Sequence, residues 1–310
     1  TNNECRELLD KPADVVLMNG FEDDFVPKGA TFTGKRKRAR STMLRVANCL
    51  LGEDLGDDTL IIGTSGRYEF KNKGIDVFLE SLNRLNRDKD LKKKVLAFVN
   101  VPSWVGDPRE DLQKRLKSKD KFTEPLQCPF ITHWLHNMTH DQVLDMLKYL
   151  GMGNRPEDKV KVIFVPCYQD GHDGILNKHY YDLILGEDLS VYPSYYEPWG
   201  YTPLESVAFR VPTITTDLAG FGLWVNSLKN QHGINDGVEV LHRSDYNYSE
   251  VADGIKDTVA LFSTKTEAEI KEIRKRAGQV AEQALWKHFI QYYYEAYDIA
   301  LRNAMKRQLK

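Results

Sequence analysis

The sequence is poor in cysteine and has no long hydrophobic run, and both absences exclude classes of protein. Its cysteines lie far apart, with no CxxC pair, at Cys5, Cys49, Cys128 and Cys167. This spacing favours free thiols and a cytoplasmic location over a disulfide framework or a thiolate metal site. No apolar stretch approaches the ~20 residues that span a bilayer, and no signal peptide opens the sequence, so we expect no membrane partner.

An excess of charge of one sign is also lacking. The sequence has 43 Lys and Arg against 45 Asp and Glu, for a formal net charge of −2. This balance argues against a nucleic-acid partner. One basic run, residues 35–40, is a local exception. Because it has no interleaved aromatic residues, we interpret it as the solvated entry to a helix rather than as a nucleic-acid patch.

What is present is an alternation of short apolar runs with amphipathic segments along 310 residues. It predicts an α/β fold: a Rossmann-like doubly wound parallel sheet with helices on both faces and long C-terminal helices. The predicted strands are residues 14–18, 59–63, 94–101, 160–165, 189–192, 211–216 and 238–241. The predicted helices are residues 42–51, 74–85, 105–121, 142–150, 179–185, 203–209, 248–262 and 266–310, with another from residue 223.

We treat residues 1–310 as one lobe, with an irregular and partly helical insertion over residues 102–159 and a C-terminal helical segment over residues 264–310. Within the insertion, the spacing of His133, His136 and His140 would place all three on one face of a helix. No convincing fourth ligand follows, because Asp141 is better suited to start the next helix. We therefore interpret these histidines as structural and expect no metal site.

Three polar turns follow predicted strands. The first, residues 64–74, carries glycines, hydroxyls and the cations Arg67 and Lys73, a set that suits a diphosphate. It matches neither the Walker A nor the GxGxxG pattern. Taken alone, it could equally be an ordinary surface loop, but its place after a strand of an α/β sheet favours anion binding.

The second turn, residues 194–205, contains Glu197 and Glu205 around a predicted helix start. Its aromatic residues suggest a wall against a flat ring or a sugar face, and the alternative is a capped helix packed by those aromatics. The third turn, residues 217–222, carries further glycines. Since all three turns lie beyond the carboxyl ends of strands, together they predict a nucleotide or nucleotide-sugar site.

Two long motifs give the sequence a family resemblance. They are GRYEFKNKG at residues 66–74 and YYEPWGYTP at residues 195–203, the second followed by Glu205. With VPTITT at residues 211–216 and GFG at residues 220–222, they closely resemble the eukaryotic-type glycogen synthases. The resemblance implies the C-terminal, donor-binding lobe of a two-lobed (GT-B) glycosyltransferase, and we expect the N-terminal acceptor lobe to be absent from this chain.

The same resemblance implies a reaction. It is the retaining transfer of glucose from UDP-glucose to the non-reducing end of an α-1,4-glucan such as glycogen, without a metal or other cofactor. Arg67 and Lys73 would hold the donor diphosphate, and Glu197 would lie beside the transferred glucose. The front-face alternative, in which the departing phosphate helps to deprotonate the acceptor, stays open beside a nucleophilic Glu197.

The resemblance also assigns residues that hold the donor. Glu205 would reach the ribose, and Tyr180 would stack on uracil, with Tyr181 as the alternative one residue on. The phosphates would meet the start of the following helix. The full set of implied donor contacts beyond the catalytic residues is Tyr180, Trp199, Gly200, Tyr201, Thr202 and Glu205.

Two other functions remain open. One is another retaining sugar-nucleotide transferase, of the ADP-glucose or sucrose type, since base choice cannot be read from these residues, although the Arg67 motif argues against it. The other is a noncatalytic nucleotide-binding module. A noncatalytic module would leave unexplained why the sequence retains Lys73, Glu197 and Glu205 together with Arg67. We expect the isolated lobe to bind the donor weakly and to turn over little or nothing.

Overall fold

The computed structural model describes residues 2–308. Its strands are β1 (Leu60–Ser65), β2 (Val95–Asn100), β3 (Val105–Pro108), β4 (His133–Leu135), β5 (Val160–Val165), β6 (Leu189–Val191), β7 (Thr213–Thr216) and β8 (Val238–Leu241). Six of them form a parallel sheet in the order β5-β2-β1-β6-β7-β8, and β3 pairs antiparallel with β4. The predicted parallel α/β sheet is confirmed.

The helices cover both faces of this sheet. They are α1 (Asn2–Leu9), α2 (Gly29–Leu51), α3 (Ile75–Asn86), α4 (Glu110–Lys117), α5 (Gln142–Leu150), α6 (Tyr180–Ile184), α7 (Tyr201–Ala208), α8 (Gly220–Asn226), α9 (Tyr248–Ser263), α10 (Glu267–Gln283) and α11 (Trp286–Gln308). A short 3-10 helix spans Ile234–Asp236. None of the helices within residues 2–308 is long and apolar enough to cross a membrane.

Strand β2 shows how the two layers form. Val95, Ala97 and Val99 pack with α3, α5 and α9, whereas Leu96 and Phe98 pack with α2 and α4. Successive side chains of a strand point to opposite faces, so an unbroken apolar run is buried on both sides. The doubly wound arrangement therefore follows from the composition of the strands.

The strand order reverses at β1. The chain adds β2 and β5 on one side of β1 and then returns to place β6, β7 and β8 on the other side. At such a reversal the loops after the two neighbouring strands diverge, and a crevice opens beyond their carboxyl ends. The loops after β1 and β6 therefore flank the natural binding position.

The predicted strand over residues 14–18 is wrong. These residues form no strand, and Val16 is 58% exposed, because no neighbouring strand is available to pair with this short apolar run. The chain joins the fold at Phe21, which pairs with Leu285 in an isolated bridge.

The single predicted helix over residues 266–310 is also wrong, since the chain bends between α10 and α11. The Phe21 N–H donates to the Ala284 carbonyl at 3.0 Å, and the Trp286 N–H donates to the Phe21 carbonyl at 3.1 Å. Backbone groups that would continue the helix are thus used by a distant segment. The last two residues of the prediction lie outside the described residues.

Two further helix predictions need correction. Residues 105–121 were predicted to be helical throughout, but they begin with β3 and only then form α4. Helix α2 begins at Gly29, so the basic run lies inside a helix. Its Arg36 and Arg40 bind the Asp188 carboxylate at 2.6 and 2.7 Å, so the solvated interpretation is wrong for these two side chains.

Candidate active site

The loop after β1 and the loop after β6 are in direct contact. The Tyr195 N–H donates to the Asn72 carbonyl at 2.7 Å. Gly74 has a φ of +67°, and a Cβ placed on it would lie 2.1 Å from the Pro193 carbonyl oxygen. Glycine is therefore required here both by the backbone conformation and by the close approach of the second loop.

The third turn joins the second in the same way. The Gly220 N–H donates to the Glu197 carbonyl at 3.1 Å, and the Phe221 N–H donates to the Trp199 carbonyl at 2.6 Å. A Cβ on Gly220 would lie 2.3 Å from the Pro198 carbonyl oxygen. The structure thus brings the three predicted turns together at one edge of the sheet.

The chemical centre of this edge is an ion pair between Lys73 and Glu197. The two side chains are 14% and 19% exposed, respectively, so the pair is largely shielded from water. Lys73 comes from the loop after β1 and Glu197 from the loop after β6. Their contact crosses the crevice between the two strands at which the order reverses.

Arg67 lies at the open end of the same loop. Its side chain is 75% exposed, and its Nε lies 3.1 Å from Glu69 Oε1. Arg67 borders a cavity of about 350 Å³, together with Tyr180 and Thr202. Arg67 therefore borders a cavity that is also lined by Thr202, at the start of α7.

Ser65, Gly66 and Tyr68, which also line this cavity, belong to the first predicted turn. The remaining lining residues lie outside the three turns and are not predicted: Asn100, Pro102, Cys167, Tyr168 and Gln169. A signal for some of them is available in the sequence, because Asn100 is the last residue of β2 and Cys167 follows β5. Strand ends alone would have indicated these positions.

The structure separates the roles of the two neighbouring tyrosines. Tyr180 lines the cavity, and its hydroxyl lies 3.1 Å from Ser65 Oγ. Tyr181 stacks on Phe209 with the ring centroids 5.2 Å apart, and its hydroxyl donates to Glu205 Oε1 at 2.8 Å. Burial raises the pKa of Glu205, and hydrogen bonds from Tyr181 and from Tyr180 partly oppose that change. Tyr180 is thus the tyrosine available to a ligand.

Helix α7 begins at the cavity. Gly200 precedes its first residue with a φ of +103°, and Tyr201 is 47% exposed. The first N–H groups of a helix have no partner within the helix, so those near Thr202 are free to meet an anion. The backbone contacts predicted for this segment are geometrically available.

Trp199 does not form the predicted aromatic wall. It is 7% exposed, and its indole packs against Phe221, Trp224 and Phe289 at centroid distances of 6.0 to 6.2 Å. The interpretation of its ring as a ligand surface is therefore wrong. A large aromatic residue can pack in a core as readily as it can line a binding site, and the residues next to it in sequence do not show which role it has.

The three histidines of the insertion do not share a helix face. His133 lies in β4, whereas the His136 ring packs on Trp104 with the centroids 5.0 Å apart. His133 lies with Cys167 and Asp173 in a cluster whose potential ligand atoms are within 4.8 Å of one another.

This cluster is held by hydrogen bonds. His133 Nε2 lies 2.8 Å from the Asp173 carbonyl, and the Asp173 carboxylate accepts three backbone N–H groups. Burial lowers the pKa of His133, and burial raises the pKa of Cys167 to about 12. These features favour a structural role. Asp141 caps α5, as predicted, by accepting from the N–H groups of Val143 and Leu144.

Comparison with known proteins places the chain in a family. The family model described as glycogen synthase matches residues 2–108 and 109–310. The glycogen [starch] synthase of Neurospora crassa is 27% identical, over 98% of this chain and 51% of the relative. Isoform 2 from Saccharomyces cerevisiae is 29% identical, over 99% and 52%. The mouse liver enzyme is 24% identical, over 97% and 50%. The chain spans about half the length of the curated relatives it matches.

Solved structures share the fold at low sequence identity. Anabaena Alr3699/HepE, solved in complex with UDP, is 15% identical with a TM-score of 0.50, covering 93% of this chain and 57% of that one. Sucrose-phosphate synthase from Thermosynechococcus elongatus is 15% identical with a TM-score of 0.52, covering 97% and 56%. Both likenesses support the GT-B type of fold and go no further. The family match over both segments shows that this chain belongs to the glycogen synthase family.

Proposed function

We propose that this chain is the donor-binding lobe of a glycogen synthase. In the proposed reaction, glucose passes from UDP-glucose to the non-reducing end of an α-1,4-glucan with retention of configuration. The observation that carries the proposal is the Lys73–Glu197 pair, placed at the same sheet edge as the cavity lined by Arg67, Tyr180 and Thr202. Family membership supports the same conclusion.

The leaving group of this reaction is a diphosphate, so negative charge grows on it as the glycosidic bond breaks. Arg67 and Lys73 would meet that charge from one loop, and the N–H groups at the start of α7 would meet it from another. Preorganised donors of this kind are each worth roughly 3–4 kcal/mol in other enzymes. With cations in this position, we propose that the reaction requires no metal.

The base end of the donor would occupy the cavity. Tyr180 offers an aromatic ring there, and Gln169 donates to Asn100 Oδ1 at 2.9 Å in the same lining. Flat apolar surface with a few fixed polar groups is the usual composition of a nucleotide-base site. Glu205 would then face the ribose.

Calorimetry of this chain with UDP, ADP and their glucose conjugates tests the proposal. We expect UDP and UDP-glucose to bind and the adenine pair to bind at least about tenfold more weakly. UMP is the matched ligand without the second phosphate, and it should bind more weakly than UDP because fewer charges reach Lys73. Equal or tighter binding of ADP would favour the ADP-glucose class, and binding of none would contradict a nucleotide site.

The acceptor and the cellular setting are further proposals. The acceptor would be glycogen or a related α-glucan, presented to the glucose end of the site near Glu197. A cytoplasmic location is supported by the four cysteines, which are all free thiols.

A further inference from the structure

A buried carboxyl group lies beneath the proposed site. Glu187, in the turn between α6 and β6, is 3% exposed. A Cβ placed on Gly63 would lie 2.1 Å from Glu187 Oε1, so the carboxyl group fills the space that a side chain on β1 would occupy. Ser190 Oγ lies 2.6 Å from Glu187 Oε2, within hydrogen-bond distance. The carboxyl group is thus held between two neighbouring strands of the sheet.

A line of hydroxyl groups connects this carboxyl to the cavity. Gly63 pairs with Ser190 across β1 and β6. Because side chains two residues apart on a strand share a face, Ser65 and Tyr192 continue the same face towards the carboxyl ends. The Tyr192 hydroxyl lies 3.3 Å from Ser65 Oγ and also interacts with the hydroxyls of Ser190 and Tyr180. Ser65 Oγ then lies 3.1 Å from the hydroxyl of Tyr180, in the cavity lining.

The nearby cations are directed at other groups. Arg36 and Arg40 of α2 bind the Asp188 carboxylate. Arg36 and, from α10, Arg274 also donate to the backbone carbonyl of Glu187 rather than to its carboxyl group. No cation in residues 2–308 forms an ion pair with the Glu187 side chain that would favour its charged form.

Within this hydroxyl chain, the Glu187 carboxyl group ionises at a lower pH than the two tyrosine hydroxyls, and the Glu205 carboxyl group, whose pKa burial also raises, faces the end of the chain at Tyr180. Burial, followed by the charge of Asp188, raises the pKa of Glu187 to about 8, and the hydrogen bond from Ser190 only partly offsets this. Burial also raises the pKa of Tyr180 and of Tyr192, which moves their ionisation further from neutrality. The Glu187 carboxyl group is therefore uncharged at neutral pH and becomes charged in mildly alkaline solution.

We propose that Glu187 is a positioning residue for the nucleotide cavity, whose uncharged carboxyl group keeps the hydroxyl chain ending at Tyr180 in its binding arrangement. Each hydroxyl has one proton to donate. The uncharged carboxyl group of Glu187 donates its own proton to Ser190 Oγ, which leaves the Ser190 proton for Tyr192. On ionisation the carboxylate needs a donor, so Ser190 turns its proton towards Glu187 and Tyr192 donates to Ser190 instead. Tyr192 then no longer donates towards Ser65, and the floor of the cavity rearranges.

The first test needs no ligand. In protein labelled with ¹³C at the tyrosine ring Cζ, the NMR signal of Tyr180, assigned through Tyr180→Phe, is followed from pH 6 to pH 9.5. We expect it to shift with a midpoint near pH 8, and to lose that step in Glu187→Gln. Tyr192→Phe, which keeps the carboxyl group and removes the link, should lose it as well. A Tyr180 signal that keeps this step in Glu187→Gln, or shows none in the unaltered protein, overturns the proposal.

The second test rests on the function proposed above. Between pH 7 and pH 9 the Kd for UDP should rise at least about threefold more in the unaltered protein than in Glu187→Gln. Titration of UDP itself affects both proteins equally and cancels in this ratio. At pH 7 the two proteins should bind alike. Parallel pH profiles would overturn the proposal. A complete lack of UDP binding would contradict the proposed function, while the Tyr180 signal would still decide the role of Glu187.

Glu239→Gln is the matched control. Burial also raises the pKa of Glu239, a residue of β8 that accepts from the Ile234 N–H and lies outside the hydroxyl chain. This substitution removes a comparable carboxyl group and should leave the Tyr180 step and the pH profile of UDP binding unchanged. An equal effect at Glu239 would show that the change is not transmitted through the chain and would overturn the proposal.

Discussion

The two ends of the loop after β1 differ in how well contacts with other residues fix them, and we call the end at Asn72, Lys73 and Gly74 the firm end and the end at Arg67 the open end. At the far end, Asn72 and Gly74 contact the loop after β6, and Lys73 is paired with Glu197. At the near end, Arg67 is 75% exposed and forms an ion pair with Glu69, a carboxylate of its own loop. The comparison teaches that the end nearest the proposed chemistry is formed in advance. For the end proposed to meet the nucleotide, we expect ordering only when the ligand binds, which would lower the net affinity.

The largest expected effect is on the firm end. Glu197→Ala, placed in the full-length protein that contains this lobe, should lower glucose transfer by at least about 10²-fold, the scale of losing one preorganised electrostatic group. UDP binding should change by less than about threefold, because Lys73 remains. Transfer of ¹⁴C-glucose to glycogen measures the first quantity and calorimetry the second. Glu267→Ala, at an exposed glutamate that begins α10, is the control and should keep full transfer. Retained transfer in Glu197→Ala would refute the assigned role.

The second effect concerns the contact that fixes the firm end. Gly74→Ala should lower the free energy of unfolding by about 3 kcal/mol, because it adds a left-handed-conformation penalty of about 1–2 kcal/mol to a clash with the Pro193 carbonyl. Urea unfolding measures the change. Gly151 has a φ of +69° with no atom near its added Cβ, so Gly151→Ala should show the first penalty alone. Equal losses in the two variants would mean that the loops are not held together at Gly74.

The third effect concerns the open end. Arg67→Ala should weaken UDP binding by at least about 1.5 kcal/mol, roughly tenfold, as expected for a charged hydrogen-bond donor. The free energy of unfolding should change by less than about 0.5 kcal/mol, since the Arg67 side chain is mostly exposed. Arg87→Ala, an exposed arginine at the opposite end of α3, is the control for net charge. Unchanged affinity in the Arg67 variant would remove Arg67 from the site.

The smallest effect separates the arginine from its partner. Glu69→Gln frees Arg67 from an exposed ion pair worth less than about 1 kcal/mol. We expect UDP to bind up to about threefold more tightly, because the cation no longer has to leave a carboxylate. Calorimetry at low and high salt measures the change, which salt should reduce. Weaker binding would indicate that Glu69 holds Arg67 in its productive position.

The parts of the fold that sequence predicts well are those with a local cause. The sequence predicts β5 with its observed bounds, because a short apolar run suits a strand buried on both faces, and all six of its residues are buried. The meeting of the three turns also followed from a general rule of parallel sheets, which places their loops at one edge. Glu197 and Lys73 could thus be placed near each other before any contact was known.

The errors have a common origin in contacts between distant segments. The break between α10 and α11 depends on Phe21, which is more than 250 residues away along the chain. The burial of Arg36 depends on Asp188, and the burial of Trp199 depends on Phe289. Periodicity and composition report neighbours along the chain, so they cannot reveal these partners.

The most direct test of the central claim is a crystal structure of this chain with UDP. The claim predicts that the diphosphate contacts Arg67, Lys73 and the N–H groups at the start of α7, with the uracil in the cavity beside Tyr180. UDP bound at another edge of the sheet, or bound in the cavity with its phosphates turned away from Lys73, would contradict it.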